Sequence, residues 1–100
     1  MALQLYYRPS FEKSLKRLGY EQKKIAGVIL EALIAYYSAG CELLAAKKIA
    51  PRFFYKQLRK PYYEAGVEGN IRVIIRREDE QCIAILAGNH DQIRKFLAGK

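Results

Sequence analysis

The chain reads as a small α+β fold, and three observations predict that class. Apolar residues recur at helical spacing as far as Tyr37; between Arg52 and Ala87 the pattern becomes alternating or continuously apolar; a last short helical pattern follows. The implied order is β-α-α-β-β-β-α, with the two helices as a helical hairpin and the three later strands as an antiparallel meander.

Leu3, Leu5 and Tyr7 alternate with Gln4 and Tyr6 before Arg8-Pro9, which predicts a short opening strand closed by the proline. Ser10 is placed to cap a first helix carrying Phe11, Leu15 and Leu18, and Gly19 to end it, with Lys13, Lys16 and Arg17 pointing elsewhere. From Glu21 to Tyr37 the set Ile25, Val28, Ile29, Ala32, Leu33, Tyr36 and Tyr37 follows the spacing of one buried helical face. Gly40 to Pro51 stays open: Leu43, Leu44 and Ile49 either finish a helix or pack as a loop beside Lys47 and Lys48.

The expected strands are Arg52–Arg59, Asn70–Arg77 and Gln81–Ala87. A period of two puts Ile71, Val73 and Ile75 on one face and Arg72, Ile74 and Arg76 on the other. The same rule groups Tyr55, Gln57 and Arg59 opposite Lys56 and Leu58, without saying which side is the core. Tyr62 and Tyr63, after Lys60-Pro61, either stack on a bound ligand or finish a hairpin. Cys82 to Ala87 is apolar throughout and reads as a strand buried on both faces. Asn89 or Asp91 caps the last helix, Asn89 with Gln92 forming a capping box, over a stripe of Ile93, Phe96 and Leu97 that leaves Arg94, Lys95 and Lys100 outside.

The 100 residues are expected to form one domain spanning 1–100, since 51% hydrophobic and 28% charged residues is a globular balance. Eighteen Lys and Arg against ten Asp and Glu leave a net charge of +8, which makes a polyanion the first partner to consider. Cys41 and Cys82 sit in apolar surroundings without metal-ligand spacing, and read as buried free thiols. The N-terminus lacks an uninterrupted apolar stretch, and no segment reaches the roughly twenty apolar residues of a membrane span; the expectation is a cytoplasmic protein with no membrane partner.

Familiar enzyme signatures are missing: no phosphate-cradling Gly-rich loop with lysine, no Cys-x-x-Cys, no second histidine for a metal, no serine-histidine-acid set. What remains is a group of cations on or beside the sheet, Lys56, Arg59, Arg72 and Arg76, plus the single histidine, His90, brought out by Gly88-Asn89 at a strand end. That set suits RNA cleavage without a metal. The 2′-hydroxyl attacks the adjacent phosphate, one group takes its proton, another protonates the leaving oxygen, and guanidinium groups stabilise the developing charge. Histidine serves proton transfer and arginine the charge. Against this reading, alternating arginines on a strand are often a solvated face, and a lone loop histidine is often structural.

The element order, together with Phe11-Glu12-Lys13-Ser14-Leu15-Lys16-Arg17-Leu18, Gln57-Leu58-Arg59, Gly69-Asn70-Ile71-Arg72-Val73-Ile74-Ile75 and Gly88-Asn89-His90-Asp91, resembles the RelE/ParE toxin superfamily over nearly the whole chain. The resemblance, closest to the RelE-like branch, implies a helical hairpin packed on the sheet. It implies the toxin of a type II toxin-antitoxin pair: a metal- and cofactor-independent messenger RNA endonuclease acting in the ribosomal A site. Arg59 and Arg72 would then bind phosphate and stabilise the transition state, His90 would move protons, and Lys56 would contact RNA. Arg76, Arg94, Lys47 and Lys48 would add substrate and ribosomal RNA contacts. Two departures stand out: Arg94 replaces a tyrosine or phenylalanine that stacks on the substrate base in many relatives, and Gln57 replaces a common glutamate. An antitoxin with an acidic or amphipathic segment is the implied partner, forming a hetero-oligomer. The alternatives are a ParE-like DNA gyrase inhibitor and an inactive homologue that only binds its antitoxin.

Overall fold

In a computed structural model describing residues 3–99, the chain runs β1 (Gln4–Tyr7), α1 (Pro9–Arg17), α2 (Tyr20–Ser38), α3 (Leu43–Ile49), β2 (Phe54–Gln57), β3 (Tyr62–Gly66), β4 (Arg72–Glu78), β5 (Gln81–Gly88) and α4 (His90–Ala98). Lys100, expected outside the last helix, lies outside the described residues. One sheet has the order β1-β5-β4-β3-β2; β1 joins β5 in parallel and the other pairs are antiparallel. The α+β class and the helical hairpin are as expected. Two elements are added to the expected order. The open segment after Gly40 contains α3, with Ala46 buried against α2, and β3 is a strand between the first two members of the meander. The tyrosines after Pro61 thus complete a hairpin: Tyr62 faces Arg76, and Tyr63 lies between Gln57 and Ile75.

The layers follow from strand alternation. Val73 and Ile75 of β4, Ala65 of β3 and Cys82, Ala84 and Ala87 of β5 pack with Phe11, Ile29, Leu33, Tyr37 and Ala46 of the first three helices and with Leu18 at the joint between α1 and α2. On the other face Tyr62, Ile74 and Ile85 pack with Ile93 of α4, and Leu58, Ile83, Leu86, Phe96 and Leu97 border them. β5 is therefore covered on both sides, as its unbroken apolar run implied. A register shift at Ile74/Ile75 leaves Ile85 as the extra residue, and Ile85 and Leu86 both serve the α4 cluster.

Local starts and stops differ from the sequence signals at two serine and glycine positions. α1 begins with Pro9 at its first turn and Arg8 as the N-cap residue, because the Ser10 hydroxyl donates to the Ile85 carbonyl at 3.0 Å instead. Gly19 opens α2: its N–H donates to Gln22 Oε1 at 3.1 Å, while α1 ends at Arg17 so that Leu18 can enter the core. Val28, expected in the buried stripe, is exposed beside Ile49. One turn after Ser10, the buried Ser14 hydroxyl donates to the Phe11 carbonyl at 2.7 Å and accepts the Ala87 N–H at 2.9 Å. Since β1 pairs only with Gln81–Ala84, the two serines complete the hydrogen bonding of β5 beyond the end of β1. Cys41 is half-buried, Cys82 is buried, and both are free thiols. Among the described residues no helix is long and apolar enough to cross a membrane.

Candidate nucleic-acid interface

The sheet face that carries α4 displays three cross-strand rows. Phe54, Gly66, Arg72 and Gly88 form the first, Lys56, Glu64, Ile74 and Leu86 the second, and Tyr62, Arg76 and Ile83 the third. Lys56, Arg72 and Arg76 thus share a face, as the period of two required.

Glu64 organises this face. It is only 3% exposed; Lys56 Nζ lies 3.4 Å from one carboxylate oxygen and Arg72 Nε 3.3 Å from the other. The Nε–H of Arg72 is not aligned for a hydrogen bond, so this second contact is Coulombic. Arg72 spends its directional bonds elsewhere: Nη1 donates to the carbonyls of Gly69 at 2.8 Å and Ile71 at 2.9 Å. Its guanidinium carbon stands 4.8 Å from the Phe54 ring centroid, reached by crossing β3 over Gly66. A Cβ at Gly66 would come within 2.7 Å of Phe54 ring carbons and 2.8 Å of Arg72 Cδ, so glycine is what leaves this lane open. The Arg72 side chain is 13% exposed and that of Lys56 61%. Lys56 is therefore the cation of this pair open to a ligand, whereas Arg72 is largely committed to the protein. Arg76 pairs through Nη2 with Glu78 and has a buried Nε without a hydrogen-bond partner; its guanidinium lies 5.9 Å from the Tyr62 ring centroid.

His90 is the first residue of α4 and is exposed. Asn89 caps the helix as expected, its Oδ1 accepting the Gln92 N–H at 3.0 Å while Gln92 Oε1 accepts the Asn89 N–H at 2.8 Å. Gly88 makes room for that reach, since a Cβ there would sit 2.5 Å from Gln92 Oε1. Because Gly88 is the strand partner of Arg72, the imidazole-bearing residue follows the Arg72 row by two positions. Arg94, one helical turn after His90, shares its side of α4 and is exposed, while Ile93, Phe96 and Leu97 turn to the sheet.

The remaining predicted site residues stand apart. Arg59 is exposed in the β2–β3 turn, about 16 Å along the strand direction from the Phe54–Arg72 row. Lys47 and Lys48 are exposed in the last turn of α3, whose buried residue joins the core on the opposite face of the sheet. Sequence reasoning missed Glu64. The signal for it was a carboxylate on a strand between two strands carrying Lys56 and Arg72, which becomes visible only once β3 is placed.

No family model matches the chain, and no curated protein does. Solved structures do. The toxin–antitoxin complex of DinJ and YafQ from E. coli contains a chain that superposes with a TM-score of 0.67 at 17% identity, covering 93% of this chain and 98% of that one. A copper-bound mutant toxin from Helicobacter pylori gives a TM-score of 0.64 at 21% identity, covering 91% and 98%. A RelB–RelE antitoxin–toxin complex from Methanococcus jannaschii gives 0.60 at 17% identity, covering 91% and 96%. These likenesses are likenesses of fold.

Proposed function

We propose, from the RelE-like toxin fold that this chain adopts, that it is the toxin of a toxin–antitoxin pair and cleaves messenger RNA in the ribosomal A site without a metal. The observation that carries the reading is the exposed His90 at the N-terminus of α4, next to the row of Arg72 and on the flank of the face that presents Lys56. His90 transfers a proton in the attack of the 2′-hydroxyl or to the leaving oxygen. Lys56 and Arg94 hold phosphates on either side, and the N-terminus of α4 favours the same charge. Arg72 stabilises the developing negative charge with the N–H groups it has not given to Gly69 and Ile71. Arg59 and Arg76 lengthen the basic track toward the β2–β3 turn, and Lys47 and Lys48 add salt-sensitive attraction to ribosomal RNA from the other side.

The net charge of +8 supports an antitoxin with an acidic or amphipathic segment as the resting partner in a hetero-oligomer, encoded beside this chain. A ribosomal target places the protein in the cytoplasm. The occupied guanidinium of Arg72 and the arginine at position 94 favour a second reading, a homologue with little cleavage that acts by binding antitoxin or, in the ParE manner, DNA gyrase.

Mapping 5′ ends of a message in a reconstituted translation reaction tests the proposal. Wild type should cut ribosome-bound message, and His90→Ala, a change at an exposed position, should lower the rate by about 10²–10⁴-fold with an unchanged unfolding midpoint. An intact message on stalled ribosomes would reject the nuclease, and inhibition of supercoiling by the same preparation would point to gyrase.

A further inference from the structure

On the helical side of the sheet, at the end away from His90, a cleft of about 370 Å³ is lined by Lys60, Pro61, Tyr63, Arg77 and Asp79. Its one aromatic lining residue, Tyr63, belongs to a tyrosine stack. Tyr63 lies on Tyr55 at 5.2 Å between centroids and 14° between planes, and Tyr36 packs on Tyr55 at 4.6 Å. Tyr37 in turn donates its hydroxyl to that of Tyr55 at 2.8 Å. Arg77 rests on this stack, its guanidinium carbon 5.6 Å from the Tyr63 centroid, with its backbone N–H held by the Pro61 carbonyl at 2.9 Å.

The charge state of this cleft sets it apart. Among the described residues, Arg72 and Arg76 of the same strand each lie against a carboxylate, whereas neither Arg77 nor Lys60 has one within ion-pair distance. The tyrosines hold Arg77 in place without neutralising it. A pre-positioned guanidinium beside an exposed ammonium is a receptor for phosphate, and a guanidinium plane also stacks on a nucleobase. The volume is at the small end of the roughly 300–1,000 Å³ of small-molecule sites. Lys60 adjoins Arg59 in the same turn, and Arg77 adjoins Arg76 on the same strand, so the cleft continues the basic track around the end of the sheet.

We infer that this cleft holds one backbone phosphate and its adjoining base of a single-stranded RNA that has crossed the β2–β3 turn from the face of Lys56. The inference rests on the RNA reading above but does not require cleavage. The probe is therefore a labelled 2′-O-methyl oligoribonucleotide, which lacks the attacking hydroxyl, titrated at several salt concentrations. Lys60→Ala, an exposed change, and Arg77→Gln should each weaken binding and reduce the slope of log affinity against log salt by about 0.7. Asp79→Asn should tighten binding, because it removes the one carboxylate lining the cleft; asparagine tolerates the φ of 52° there. A variant that merely unfolds cannot produce that gain. Lys16→Ala, on the outer side of α1, should leave the affinity unchanged. Equal losses from Lys16→Ala and Lys60→Ala would overturn the site in favour of diffuse attraction. Binding that is lost in Lys56→Ala and untouched by Lys60→Ala and Arg77→Gln would overturn it while leaving the RNA reading standing. No binding by wild type would overturn it as well, and the cleavage assay would then judge the nuclease separately.

Discussion

Replacing Arg72 with alanine should unfold the protein more than it disables it. The guanidinium is the better-buried of the two cations that face Glu64, and the carboxylate side chain is 5% exposed. Without Arg72, Glu64 keeps only Lys56, whose side chain is 61% exposed and largely solvated. Breaking a buried pair from one side costs about 3–5 kcal/mol, a large share of the roughly 5–15 kcal/mol that holds a domain of this size folded. With a urea dependence of about 1–3 kcal/mol per molar, the midpoint should fall by roughly 2 M. The assay is urea denaturation of wild type, Arg72→Ala, Glu64→Gln and the double variant. Removing the carboxylate charge first should make the loss of Arg72 cheaper, giving a coupling energy of about 1–3 kcal/mol. An Arg72→Ala midpoint equal to that of wild type, or single costs that simply add, would refute the reasoning. The practical consequence is that lost cleavage in Arg72→Ala says nothing of catalysis until the folded fraction is measured.

Gly66→Ala should cost about 1–3 kcal/mol, because the added methyl meets Phe54 and Arg72 inside van der Waals distance; a thermal melt reads it, and an unchanged Tm would mean that the lane over β3 is not needed. Ser14→Ala should cost a similar amount, about 1–3 kcal/mol, by leaving the buried Ala87 N–H without an acceptor. Faster hydrogen exchange at Ala87 is its signature, and exchange as slow as in wild type would count against it. Burial pushes the Tyr55 hydroxyl up to about 12 from its ordinary value of 10.0, and raises Tyr36 and Tyr37 as well. A phenol whose pKa is raised by folding contributes stability that is fully present below the unfolded value and lost as pH rises through the folded one. Urea midpoints should therefore hold steady up to about pH 10 and fall between about pH 10 and 12. In Tyr55→Phe the fall should be shallower, and an identical profile would exclude Tyr55 as a source.

The parts of the molecule legible in the sequence are those where a period or a cap is repeated by neighbours. Ile29, Ala32, Leu33 and Tyr37 announce α2, Asn89 and Gln92 announce the start of α4, and the alternation from Ile71 to Arg76 puts Arg72 and Arg76 on one face. β3 has no such support. Glu64, Ala65 and Gly66 are poor strand formers after a proline, and the strand exists because β2 and β4 pair with it on both sides and Tyr62 reaches the α4 cluster. Once β3 was missing, Glu64 could not be seen as the residue that ties down Arg72. Ser10 and Gly19 carry ordinary capping signals, but tertiary demands use them differently: the edge of β5 takes the serine, and the direct joint between α1 and α2 takes the glycine. The distance of Lys47 and Lys48 from the α4 face was likewise a matter of layering, which local spacing does not encode.

Lys56 stands on β2, a four-residue strand at one edge of the sheet. An edge offers unpaired backbone groups to any other strand, and a solvated lysine is one of the features that keeps two such edges from zipping together. The side chain proposed to meet RNA is thus also a guard against self-association. Lys56→Ala would remove both services at once, so a loss of RNA binding in that variant has to be read beside its solubility at rising concentration. Lys56→Arg keeps the charge on the edge and separates the two.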